Sequence, residues 1–148
     1  MKARTGLTHA GWIFCLMLAL SISHPAVAGD EIGYDQKIVC GDAEGGGKVC
    51  TVDKQTYLGW RTFSSFCLRC HGQDAEGSTF APSLLDRLKQ IDKARFMHSV
   101  ANGYTGQVGV MPPWKDNPNV TKYYEQLYGY LKARSDGTLL PGRPKRFQ

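Results

Sequence analysis

The side chains able to bind a metal or form a covalent link are few in this chain of 148 residues: five cysteines, four histidines and four methionines. Three of them stand together as Cys67-Leu68-Arg69-Cys70-His71. Two cysteines three apart at a helix end can form thioethers to both vinyl groups of one haem, and a histidine directly after them sets its imidazole on the iron. A bare Cys-x-x-Cys also suits zinc or a redox dithiol. Zinc would need two further ligands, and no second closely spaced cysteine pair or histidine pair supplies them. A thioredoxin-like dithiol would need alternating strands and helices, which the patterning lacks. The histidine after the second cysteine selects haem, and one motif means one haem.

A second axial ligand has three candidates: Met97, His98 and Met111. Met97 and His98 are neighbours on a helical stretch with an apolar face, so they read as a core methionine and a surface or capping histidine. Met111 stands in Val110-Met111-Pro112-Pro113-Trp114. A residue before proline is pushed to extended geometry, and two prolines stiffen the chain beyond it. Such a loop can hold a thioether against iron, so Met111 is the expected sixth ligand.

The N-terminus bears on where this chemistry takes place. Lys2 and Arg4 precede an apolar run of twelve residues from Trp12 to Ser23, and Ala26-Val27-Ala28 gives a small-x-small cleavage pattern. Twelve apolar residues are too few to span a bilayer as a helix. Residues 1–28 are therefore expected to be a cleaved signal peptide, which implies a periplasmic location and no stable membrane insertion. Cleavage removes Lys2, Arg4 and Cys15 but no acid, lowering the net charge from +5 to +3. That excess is mild, and no basic stripe with interleaved aromatics appears, so nucleic acid is not an expected partner. Of the remaining four cysteines, Cys67 and Cys70 are taken by haem. Cys40 and Cys50 are then most economically a disulfide, worth roughly 2–3 kcal/mol by loop entropy. The alternative is a pair of free or metal-binding thiols.

The elements that must position these residues fill one domain with a single modest core. Short β-type runs at 37–40 and 48–52 flank Gly45-Gly46-Gly47, as in a small hairpin. Helical patterning starts after Asp53, a possible N-cap, and runs to Cys70, followed by a loop at 72–80. Ser83 and Asp86 start a short helix over 84–89, and Asp92 caps another that stops at Asn102-Gly103. Prolines and glycines over 103–118 predict a loop without regular structure. A final helix is expected from Thr121 to Arg134, with Val120, Tyr124, Leu127 and Leu131 on one face. The tail reads as extended. The divisions are 1–28 signal peptide, 29–55 extension with the disulfide hairpin, 56–134 core and 135–148 basic tail.

From about Thr56 to Arg134 the chain resembles the class I c-type cytochromes. The resemblance rests on the Cys67–His71 motif, on Gly59 and Phe63 eight and four residues before Cys67, and on Tyr130-Leu131-Lys132 with Leu127 one turn earlier. It implies an all-α class I cytochrome c fold around one covalent haem c. It also implies that the first and last helices cross closely where Gly59 meets Tyr130 or Leu127. A proline after the haem histidine lends its carbonyl to the imidazole N–H, a place taken here by Pro82. Segments 80–85, 110–120 and 130–137 are further similar to periplasmic cytochromes of methylotrophic bacteria. Those accept electrons from quinoprotein (PQQ) methanol dehydrogenases, particularly the lanthanide-dependent type.

A His/Met iron has no free site for substrate, so the expected function is electron transfer and not catalysis. The resemblance implies a PQQ-dependent methanol or other alcohol dehydrogenase as electron donor, and a downstream cytochrome or oxidase as acceptor. Alternatives are a generic periplasmic shuttle to a terminal oxidase, or a haem enzyme or sensor with an open iron position. The tail residues Arg143, Lys145 and Arg146 read either as solvated charge or as a means of steering toward an acidic rim.

Overall fold

Asp53 joins the two parts of the molecule. Its carboxylate accepts from the Thr56 backbone N–H at 2.9 Å and the Thr56 hydroxyl at 2.7 Å, capping the helix that follows. The same carboxylate accepts from the Lys37 N–H at 2.9 Å, which ties that helix start to the entrance of the preceding hairpin. The computed structural model describes residues 31–148, so the signal-peptide expectation at 1–28 lies outside the described residues.

The hairpin comprises β1 (Ile38–Asp42) and β2 (Lys48–Val52), antiparallel with Cys40 opposite Cys50. Those two cysteines are joined as a disulfide. Helix α1 (Lys54–Phe66) leads through Cys67 into the single turn α2 (Leu68–His71). The continuous helix expected up to Cys70 is thus divided at Cys67. A 3-10 turn over Gln73–Ala75 breaks what was read as plain loop. Then come α3 (Leu84–Arg87) and α4 (Lys93–Asn102), capped by the side chains of Ser83 and Asp92 as their types predict.

The stretch 103–118 corrects the sequence expectation. It holds a miniature hairpin, β3 (Tyr104–Thr105) antiparallel to β4 (Val110–Met111), with Tyr104 opposite Met111. Prolines limit regular structure only at their own positions, and the strands lie before Pro112. The last helix begins earlier than expected and in two pieces. Asn117 caps, and Pro118 occupies the first position of α5 (Pro118–Thr121), where its missing N–H costs nothing. Helix α6 (Tyr124–Ser135) follows. The tail is not free either, because β5 (Lys145–Arg146) lies parallel to β2.

Helices α1 and α6 pack against each other at Gly59. A Cβ there would sit 1.9 Å from the Gln126 carbonyl oxygen and 2.8 Å from Tyr130 Cβ, so only glycine permits the approach. Phe63 and Tyr130 meet beside it with ring centroids 5.6 Å apart. Phe63, Val120, Leu127, Tyr128, Tyr130 and Leu131 are all buried in one core that also takes Phe96, Val100 and Leu139. The core is mostly helical, with Cys50 and Val52 of β2 also buried in it, and β structure forms two small sheets. Among the described residues no helix is long and apolar enough to cross a membrane.

Candidate functional site

His71 ends α2 and is 8% exposed. Its position follows from two turns in sequence. The backbone N–H groups of Cys70 and His71 both bond the Cys67 carbonyl, at 3.1 and 2.9 Å. Gly77 N–H then bonds the His71 carbonyl at 2.9 Å, folding the next loop back beneath the histidine. Burial pushes the imidazole pKa below its ordinary value, and the backbone carbonyl of Pro82 pulls it partly back. Nδ1 of the ring is buried without a hydrogen-bond partner.

Cys67 and Cys70 flank this turn as free thiols, Cys67 half-buried and Cys70 exposed. Burial, with the neighbouring Cys70, pushes the Cys67 thiol up to about 12, so it is a neutral group in an apolar wall. Both thiols lie within one turn of the buried imidazole.

Met111 has a separate support. Strand β4 holds it, and Gly103, at φ +78°, lets the backbone pass: a Cβ on Gly103 would come within 2.6 Å of the Met111 carbonyl oxygen. Beyond the two prolines, Trp114 N–H bonds Val100 carbonyl at 3.0 Å and Lys115 N–H bonds Ala101 carbonyl at 3.1 Å, pinning the loop to α4. Trp114 then meets Phe66, the last residue of α1, edge to face with centroids 5.8 Å apart. That contact draws the methionine loop toward the end of α1, next to Cys67. Cys67 and Met111 are both half-buried against the one core. Nothing in the sequence pattern pointed to the Phe66–Trp114 pair.

The other two candidates lie side by side on α4. Met97 packs on the core and His98 is exposed on α4, its backbone carbonyl accepting from the Asn102 side chain. Among the described residues no three His, Cys, Asp or Glu side chains form a cluster able to hold a metal ion by themselves. The donor set of two thiols, one buried imidazole with an unpartnered nitrogen and one thioether fits a covalently attached haem.

Two helices crossed at a glycine, with Cys-x-x-Cys-His directly following the first, define a class I c-type cytochrome. Residues 55–131, just over half the chain, match the family model described as cytochrome c oxidase, cbb3-type, subunit III, and the chain belongs to that family. It is similar to cytochrome c-555 of Methylococcus capsulatus, 38% identical over 66% of this chain and 76% of that protein. Cytochrome c-553I of Paracoccus denitrificans is 39% identical over 64% of this chain, which spans only 44% of that relative's length. The crystal structure of c-type cytochrome XoxG from Methylobacterium extorquens AM1 superposes with a TM-score of 0.62 at 40% identity, covering 66% of this chain and 62% of that one. The chain is thus a c-type cytochrome, of the kind that carries covalent haem c.

Proposed function

We propose that the protein is a periplasmic monohaem cytochrome that takes single electrons from a PQQ-dependent methanol or other alcohol dehydrogenase and passes them to a downstream cytochrome or oxidase. In this reading Cys67 and Cys70 would hold the haem, His71 and Met111 would ligate its iron, and Pro82 would orient His71. When bound, the haem supplies an iron that cycles by one electron between Fe(III) and Fe(II). The chain's own work is to hold that iron's surroundings nearly constant. The buried turn at His71 excludes water, Pro82 fixes which imidazole nitrogen faces it, and the pinned Met111 loop resists displacement.

The observation that carries the reading is the Phe66–Trp114 contact, which brings the loop that follows Met111 against the residue next to Cys67. The choice of donor is supported by the segments around Met111 and in the last helix that resemble methanol dehydrogenase partners. Similarity to cytochrome XoxG supports it further. Reduced PQQ carries two electrons, so two oxidised cytochromes must dock in turn and leave quickly, which suits a small, partly polar contact.

The test is stopped-flow reduction of the oxidised protein by purified quinoprotein methanol dehydrogenase plus methanol, with a quinol-oxidising complex as the competing donor. Faster reduction by the dehydrogenase is expected. Reduction no faster than that of an unrelated cytochrome would leave a general electron shuttle.

A further inference from the structure

The C-terminal strap, 139–148, is anchored at several points. Leu139 and Pro144 are buried, Gly142 N–H donates to Asp74 at 2.7 Å, and Phe147 N–H bonds the Val52 carbonyl at 3.0 Å. Leu140 N–H also points at Cys50 Sγ, 3.3 Å away, so the disulfide hairpin serves as the strap's bed. Between the strap, β2 and α1 lies a groove of about 510 Å³, lined by Val49, Tyr57, Arg143, Pro144, Lys145 and Arg146. Three of the six are cations and none is an acid. None of the three is in an ion pair among the described residues. Arg143 is also oriented: its guanidinium lies 5.3 Å from the Trp60 ring centroid and donates to the Tyr57 hydroxyl at 3.4 Å. Aromatic contact of this kind fixes a guanidinium without neutralising it.

Arg143 stands between this groove and the side of the molecule that carries the haem-attachment turn. Arg143 also lines a smaller cavity of about 170 Å³ whose walls include Trp60, Phe63, Tyr130 and Leu68, the last lying between Cys67 and Cys70.

We propose that this groove is a docking site for a carboxylate-rich patch on the protein that donates electrons. The proposal deepens the reading above and rests on it for the partner being a redox protein. The charge is complementary to an acidic partner, and among the described residues none of the three cations is in an ion pair. Because the strap is already ordered, little conformational entropy is lost on docking. A lipid surface is the weaker fit. Membrane-binding faces project apolar side chains, whereas the exposed large apolar residues Val39, Leu68, Phe80, Tyr104, Val108 and Val110 are absent from this groove.

A hexaglutamate peptide titrated into the ferrous holo-protein is the direct probe, followed by backbone amide chemical shifts. Saturable shifts confined to Val49, Tyr57 and residues 143–146 are expected. Reversing two exposed charges together, Lys145→Glu with Arg146→Glu, should weaken peptide binding and slow reduction by the dehydrogenase at low salt by about tenfold each, with the gap closing as salt rises. Shifts spread equally over Lys115 and Lys122, or unchanged binding in the double variant, would overturn the proposal. So would binding to phosphatidylglycerol vesicles in the absence of any peptide response. A dehydrogenase that reduces both proteins equally fast also counts against it. A dehydrogenase that fails to reduce even the wild-type protein removes the donor proposed above, and the peptide result then decides the groove alone.

Discussion

Gly59 shows how differently a residue reads before and after its neighbours are known. In a helix interior glycine costs about 1 kcal/mol against alanine, so propensity alone makes Gly59→Ala stabilising. The Gln126 carbonyl, 1.9 Å from where a Cβ would stand, reverses that sign. Backbone cannot yield as a flexible side chain does, so Gly59→Ala should destabilise the holo-protein by about 1–3 kcal/mol in denaturant titration. A higher unfolding midpoint would contradict the close crossing of α1 and α6. At Met111 the expected outcome is spectroscopic. Met111→Ala should abolish the weak red-end sulfur-to-iron band of the oxidised protein and lower its reduction potential. An unchanged ferric spectrum, with Met97→Ala or His98→Ala removing the band instead, would reassign the ligand. The haem motif was legible because its chemistry is contiguous in sequence. The Phe66–Trp114 contact was not, because pairing between distant segments leaves no local period or spacing.

Elements were legible where a side chain acts on its own backbone. Asp53, Ser83 and Asp92 all cap the helices their types predict. Asp53 does more than cap, since the Lys37 N–H and the Thr56 hydroxyl share its carboxylate. Asp53→Ala should therefore cost about 2 kcal/mol, the upper end for a lost cap, seen as a lower thermal midpoint. A change within error would mean that water replaces all three bonds. The hairpin of β1 and β2 was also readable, from its glycines and paired cysteines. Mass spectrometry of the non-reduced protein should show the two-hydrogen loss of the Cys40–Cys50 bond, and two alkylatable thiols in the native fold would refute it. Elements made by tertiary pairing escaped. Strands β3 and β4 are two residues each, and β5 exists only because β2 lies beside it. Composition at 103–118 favours loop and hides the helix start at Asn117-Pro118 within it.

At the scale of the molecule, the net charge of +5 says little by itself, whereas its placement separates two surfaces. The cationic groove lies along α1 and the strap. Phe80, 69% exposed, and the turn that carries Val108 and Val110 lie together on the Met111 side, where Gly109 approaches the Phe80 carbonyl. The helical class and single core followed from periodicity, while the docked tail did not, because Arg143, Lys145 and Arg146 look in sequence like solvated charge. A carrier requires an iron that no small ligand can reach, which a haem enzyme or gas sensor does not permit. Exposing the ferrous holo-protein to carbon monoxide at neutral pH tests this directly. The visible spectrum of the wild-type protein should stay unchanged, while Met111→Ala shifts at once to that of a carbon monoxide complex. Rapid carbon monoxide binding by the wild-type protein would contradict the account, because an iron open to a small ligand is not sealed by His71 and Met111.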